Sequence, residues 1–108
     1  MDEILSGLYN VVLGRKSEAR PGSYTAYLFG EGLDKILKKI GEEAAETIIA
    51  AKNGVKEQTV SEICDLIYHL LVMMANENIT LDDVAAELGK RAEKTGNLKS
   101  FHTVDKNT

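Results

Sequence analysis

Two long stretches of helical periodicity, near Leu33 to Lys52 and near Lys56 to Asn76, meet at an Asn53-Gly54 pair. No other feature limits the fold of this chain so strongly. An α-helix turns about 100° per residue. On that wheel Ile36, Ile40, Ala44, Thr47 and Ala51 gather on one face, with Leu37 and Ile48 at its far edge. The second stretch is apolar almost all round from Val60 to Ala75, as a helix packed on several sides is. Glycine after asparagine suits the left-handed residue that closes a helix. The expectation is an antiparallel helical hairpin at the centre of an all-α fold.

Five carboxylates are set into this hairpin. Glu43 falls on the near edge of the first apolar face, between Thr47 and Ala50, and Glu46 and Glu42 follow it round the flank. On the second stretch Glu62, Asp65 and His69 share one narrow stripe bordered by Leu66, Val72 and Met73. Glu43 and Glu46 are three residues apart, Glu42 and Glu46 four, and Glu62 and Asp65 three, so the members of each pair leave the same side of their helix. Antiparallel packing brings the two acidic stripes face to face. Like charges at low dielectric are unfavourable unless a cation lies between them. Oxygen ligands on rigid helices suit Mg²⁺, which prefers octahedral oxygen coordination and often bridges phosphates. A solvated acidic face is the plain alternative, but Glu62 and Asp65 lie where little else is polar. A carboxylate-bridged di-iron bundle wants Glu-x-x-His on one helix, whereas this chain has Glu62-x-x-Asp65 with His69 a further turn on.

Size and composition set the remaining bounds. A chain of 108 residues with 44% apolar and 28% charged residues builds a single small core. Its formal charge of −4 speaks against nonspecific attraction to nucleic acid. One cysteine, Cys64, excludes an intrachain disulfide and suits a reducing cytoplasm; its apolar surroundings favour a buried structural thiol. Asp2 and Glu3 stand where a signal peptide carries basic residues. The apolar run from Leu66 to Ala75 is too short to span a bilayer. A cytoplasmic protein without membrane or nucleic-acid partners is expected.

Along the chain, Ile4, Leu5, Leu8, Val11 and Val12 form a helical stripe that Gly14 is expected to stop. A charged connection follows from Arg15 to Gly22, with Pro21-Gly22 as a turn. Ser23-Tyr24-Thr25 opens the next helical stretch with a hydroxyl cap, and Gly30 and Gly32 weaken it. Thr80-Leu81-Asp82-Asp83 reads as a capping box, with Ile79 and Val84 as a staple, for a last helix running to about Thr95 and stopped by Gly96. Residues 1–96 then form one domain and 97–108 a weakly ordered tail. Nothing reads as a strand. Because the helix from about Lys56 to Asn76 is apolar on nearly every side, a four- to five-helix bundle completed by homodimerisation is the expected architecture.

The motif Glu42-Glu43-x-x-Glu46, a fifteen-residue gap, then Glu62-x-x-Asp65 resembles the metal motif of the all-α nucleoside triphosphate pyrophosphohydrolases, the MazG-like superfamily. One branch is closer still, phosphoribosyl-ATP pyrophosphohydrolase of histidine biosynthesis. Its likeness lies in Gly22-Ser23-Tyr24-Thr25-Ala26, Gly32-Leu33-Asp34-Lys35-Ile36, Lys38-Lys39-Ile40-Gly41-Glu42-Glu43, Ala50-Ala51-Lys52-Asn53-Gly54 and Asp65-Leu66-Ile67-Tyr68-His69-Leu70-Leu71. The tail from Lys94 to Lys99 is closer to the superfamily at large. The resemblance implies removal of pyrophosphate from phosphoribosyl-ATP to give phosphoribosyl-AMP, with Mg²⁺, by a homodimer. Many relatives are fused to a cyclohydrolase domain for which 108 residues leave no room, so a separate phosphoribosyl-AMP cyclohydrolase is expected to act next. Glu43, Glu46, Glu62 and Asp65 then hold Mg²⁺, Glu42 is the candidate base for water, and Glu42, Glu43 and Glu46 form the catalytic set. Arg15, Arg20, Lys35, Lys38 and Lys39 are the candidate phosphate-binding cations, beside the hydroxyls of Ser23, Tyr24 and Thr25. His69 reads as a hydrogen-bonded core histidine. Two other functions stay open on these residues: a housekeeping (deoxy)nucleoside triphosphate pyrophosphohydrolase, and a nonenzymatic helical protein whose acids bind a cation structurally.

Overall fold

The computed structural model describes residues 1–94 and contains five helices and, among these residues, no strand. The expected stop at Gly96 and the tail at 97–108 lie outside the described residues. The helices are α1 (Asp2–Ser17), α2 (Tyr24–Glu31), α3 (Leu33–Asn53), α4 (Lys56–Asn76) and α5 (Leu81–Ala92). Among the described residues the α3–α4 hairpin is the most extensive packing, and α1 and α2 lie across it. None of the helices is long and apolar enough to cross a membrane.

Local rules account for most boundaries. The hairpin turns at Gly54, whose φ of 80° and ψ of 11° lie in the left-handed region, and its N–H donates to Ala50 and Ala51 carbonyls at 3.2 Å. Pro21 and Gly22 occupy the centre of a turn closed by the Ser23 N–H on the Arg20 carbonyl at 3.0 Å, with Gly22 at φ 83°. The Ser23 hydroxyl then caps α2 by accepting from the Ala26 N–H at 3.1 Å. Gly32, at φ 95° and ψ −177°, separates α2 from α3 in a conformation that strains any residue with a Cβ. The capping box of α5 is complete: Asp83 N–H donates to Thr80 Oγ1 at 3.0 Å and Thr80 N–H to Asp83 Oδ2 at 2.8 Å. Of the staple pair, Ile79 packs against the main core while Val84 stays exposed.

Tertiary contacts revise four expectations. Helix α1 does not stop at Gly14 but continues to Ser17. The added turn carries Lys16, whose ammonium donates to the Ala75 carbonyl at 2.7 Å and Asn78 Oδ1 at 3.0 Å, satisfying the C-terminal end of α4. Helix α2 starts at Tyr24 and runs through Gly30, because the Ser23 cap and the buried Leu28 hold it. The buried face of α3 is Ile36, Glu43 and Ala50, seven residues apart, so it is turned toward the acids. Leu37, Ile48 and Ala51 are left exposed. Finally, only the C-terminal half of α4 is enclosed, through His69, Leu71, Val72, Met74 and Ala75, whereas Val60, Ile63 and Cys64 face outward. Cys64 is thus no buried thiol. The core joins Tyr9 and Val12 of α1, Leu28 of α2, Ile36 of α3 and the end of α4. The Tyr9 hydroxyl donates to the Ile79 carbonyl and so ties α1 to the turn after α4.

Candidate active site

Glu43 is on the buried stripe of α3, and Glu62 and Asp65 leave one side of α4. One carboxylate oxygen from each lies within 4.8 Å of the others. Glu43 is 7% exposed, and its Oε1 and the Oε1 of Glu62 are both buried without a hydrogen-bond partner. Unpaired buried oxygens are rare in folded proteins, because leaving water without a partner is costly. Burial first, then the charges of Glu46 and Asp65, push the Glu43 carboxyl above its ordinary value. Glu62 is raised as well, by desolvation and then by Glu46 beside it. The structure therefore assembles Glu43, Glu62 and Asp65, with exposed Glu46 against Glu62 at the edge. A cluster of anions so arranged is suited to a hard divalent cation, since oxygen donors outnumber the available hydrogen-bond donors.

A polar relay supports the cluster from α2. His69 is 5% exposed, and its Nδ1 donates to the Asp65 carbonyl at 2.7 Å, which leaves Nε2 to accept from the Tyr24 hydroxyl at 2.9 Å. His69 is thus the hydrogen-bonded core histidine expected, and it fixes Tyr24 relative to α4. Burial, the largest influence, raises the Tyr24 phenol above its ordinary value. Thr25 is buried and hydrogen-bonds the Tyr68 hydroxyl. In this structure the Ser23 and Thr25 hydroxyls serve the cap and α2–α4 docking.

On the α2 side a cleft of about 350 Å³ opens beside the acids, lined by Tyr24, Tyr27, Lys35, Lys38, Lys39 and Glu42. Lys39 joins the two regions: its Nζ is 3.2 Å from Glu42 Oε1 and 4.0 Å from Glu43 Oε2. A hydrogen bond with Glu42 is the main reason its ammonium is held above the ordinary lysine value. Lys38 Nζ is 3.9 Å from Glu42 Oε2. Glu42 itself is exposed, on the cleft and outside the three-carboxylate cluster. Arg15, on the last turn of α1, and Arg20, in the following turn, are not among the lining residues. Sequence reasoning missed Tyr27. Its signal was the spacing of three from Tyr24 on a capped helix, which puts both rings on one side; their centroids are 6.1 Å apart. A second hollow of about 250 Å³ lies at the hairpin end, between Glu46, Glu62, Asn53, Gln58 and Ser61.

An α-helical bundle with a carboxylate cluster across an antiparallel hairpin and a lysine- and tyrosine-lined cleft beside it has the makings of a metal-assisted enzyme of phosphate chemistry. Comparison with known proteins gives the particular family. Residues 5–92 match the phosphoribosyl-ATP pyrophosphohydrolase family. The chain is 56% identical over 98 residues to a phosphoribosyl-ATP pyrophosphatase of Clostridium acetobutylicum, covering 91% of this chain and 89% of that one. It is 50% identical over 97 residues to a protein of the same name from Clostridium novyi, covering 90% and 88%. It is also 54% identical over 92 residues to the histidine biosynthesis bifunctional protein HisIE of Caldanaerobacter subterraneus subsp. tengcongensis, covering 85% of this chain and 45% of that protein. The chain belongs to the phosphoribosyl-ATP pyrophosphohydrolase family.

Proposed function

We propose that this chain hydrolyses phosphoribosyl-ATP to phosphoribosyl-AMP and pyrophosphate, the second step of histidine biosynthesis, by attack of water on the α–β phosphoanhydride. The observation that carries the reading is the junction of Glu43, Glu62 and Asp65, with two buried carboxylate oxygens unpartnered. Mg²⁺ fits these donors, and Glu43, Glu46, Glu62 and Asp65 are the residues to hold it. When bound, Mg²⁺ supplies neutralisation of the charge that develops on the phosphate oxygens.

The chain's own groups do the rest. Lys38 and Lys39 flank Glu42 and offer charge-assisted hydrogen bonds to phosphate. A phosphate drawing on these lysines loosens their hold on Glu42, whose carboxylate then accepts the proton of the attacking water. His69 keeps the Asp65 segment and Tyr24 in register. Because the Tyr24 hydroxyl donates to His69, this residue offers the cleft its ring and an acceptor oxygen, leaving phosphate to the lysines. Pyrophosphate release from phosphoribosyl-ATP, ATP and dCTP, with Mg²⁺ and with EDTA, tests the proposal. The expected result is release from phosphoribosyl-ATP alone, abolished by EDTA. Preferential turnover of dCTP would move the chain to the housekeeping reading, and no turnover of any substrate would sink the enzyme.

The active form in this proposal is a homodimer. Ile48 and Ile49 near the end of α3 are 69% and 59% exposed, and Val60 and Ile63 near the start of α4 are 49% and 40% exposed. So much apolar surface at one end of a hairpin is the usual mark of an interface. Ile48→Asp sets a charge on that surface. It should convert a two-chain mass in light scattering into a one-chain mass, and a wild type that is already monomeric would end the dimer proposal.

A further inference from the structure

The cleft beside the acids has two parts, and they lie at different distances from them. Lys39 reaches within 4.0 Å of Glu43 Oε2. Lys35 is eight residues from Glu43, about 12 Å along the axis of α3. Its ammonium sits against the Tyr27 ring, 5.7 Å from the centroid, at the α2 end of the cleft. Tyr24 and Tyr27, 44% and 47% exposed, form a stacked pair beside the row of lysines. Lysine over tyrosine is an ordinary cation–π pair, yet this one lies in a hollow that also holds two more ammonium groups and only one carboxylate, Glu42.

The proposed substrate is long and carries phosphate at both ends. The leaving pyrophosphate is contiguous with the reacting anhydride, so it belongs next to the carboxylates and Lys39. The second phosphate terminates a ribose attached to the base, across the whole nucleoside from the anhydride. Only a cation remote from the acids can meet it while the anhydride lies at the cluster. We propose that Lys35 and Tyr27 form the subsite for this distal sugar phosphate, Lys35 binding the phosphate and the tyrosine rings packing on the sugar and base, and that this subsite distinguishes phosphoribosyl nucleotides from plain ones. Charge-assisted hydrogen bonds supply the phosphate affinity, and aromatic faces add contact area without taking up the lysine donors. The assignment rests on the phosphoribosyl-ATP reading of the site.

Binding of phosphoribosyl-AMP and of AMP, measured by titration calorimetry in Mg²⁺ buffer, tests it without turnover, because the two ligands differ only in the phosphoribosyl group. Wild type should bind phosphoribosyl-AMP about tenfold or more tightly than AMP, the size expected for hydrogen bonds to a charged group. Lys35→Ala should remove most of that preference while leaving AMP affinity within about twofold; Lys35→Arg should retain it, and Tyr27→Ala should reduce it. Equal affinities in wild type, or a Lys35→Ala loss shared equally by both ligands, would overturn the subsite. Pyrophosphate release from phosphoribosyl-ATP by the same wild-type preparation separates the two readings. Release without a binding preference sinks the subsite alone, and a preference without release sinks the activity and leaves the subsite standing.

Discussion

Glu43→Gln should reduce pyrophosphate release by about 10²–10³-fold, the loss typical of removing one preorganised electrostatic contact at a reacting centre, and should at the same time make the metal-free protein more stable. The two effects share one cause. Glu43 is buried with Oε1 unpartnered, and its carboxyl is held above its ordinary value by burial and then by Glu46 and Asp65. An acid whose pKa is higher in the folded state keeps its proton better when folded. Stability is therefore lost as pH rises from the unfolded value through the folded one, and the penalty is complete above it. Metal-free wild type should accordingly melt at progressively lower temperature as pH is raised from the ordinary glutamate range toward neutrality, and Glu43→Gln should flatten that slope. Glu62, raised in the same way, contributes a further part. Mg²⁺ at a hundred times its dissociation constant should restore about 2.7 kcal/mol to wild type by mass action, and much less to the variant. Melting curves across pH, with and without Mg²⁺, carry the whole comparison. A variant that keeps its activity and its Mg²⁺-dependent shift would remove Glu43 from the site.

What could be read from the sequence follows from how local each rule is. The bounds of α4, the left-handed Gly54 and the Thr80–Asp83 capping box depend on a few neighbouring residues, and the structure has them as the pattern predicts. The antiparallel pairing of α3 with α4 followed from the short turn, and the acidic spacing followed from helical geometry. Features set by distant partners were not legible. Gly14 reads as a stop, and only the Lys16 bonds to Ala75 and Asn78 explain why α1 passes it. An apolar wheel places Ile36 correctly but cannot decide whether Ile48 or Glu43 turns inward, because both lie at edges of the stripe. The docking of α4 decided for Glu43, a choice that costs stability without a cation and one that propensity would not suggest. Cys64 was misread for the same reason, since a helix apolar all round does not reveal which half its own chain covers. The cleft was the least legible part. It forms only once α2 lies against α3, so the spacing of Tyr27 from Tyr24 marks a shared helix side but not the lysines of α3 that the side meets.

That docking of α2 leads to the second large effect, on stability. Leu28 is fully buried and is the central apolar anchor of an eight-residue helix that brings Tyr24 and Tyr27 to the cleft. So short a helix owes its stability to packing, because nucleation alone is unfavourable. Leu28→Ala removes the buried side chain and leaves a cavity in the core it shares with Val12, Ile36 and Val72, the other large side chains that are fully buried. Substitutions of this kind cost about 2–5 kcal/mol, a large part of the 5–15 kcal/mol typical of a whole domain. For a domain of this size each kcal/mol moves the melting temperature by about 4–8 °C, so a fall of at least about 8 °C is expected. The loss should also reach function below the melting point. With α2 less firmly held, the Tyr24–His69 bond and the Lys35–Tyr27 pair lose their fixed geometry, and the Michaelis constant for phosphoribosyl-ATP should rise more than the turnover number falls. Tyr27→Ala provides the contrast: it should raise the Michaelis constant while moving the melting temperature little, since Tyr27 is 47% exposed. A Leu28→Ala protein with unchanged substrate affinity would mean that α2 keeps its place without its buried anchor, and that the carboxylate hairpin alone positions the substrate.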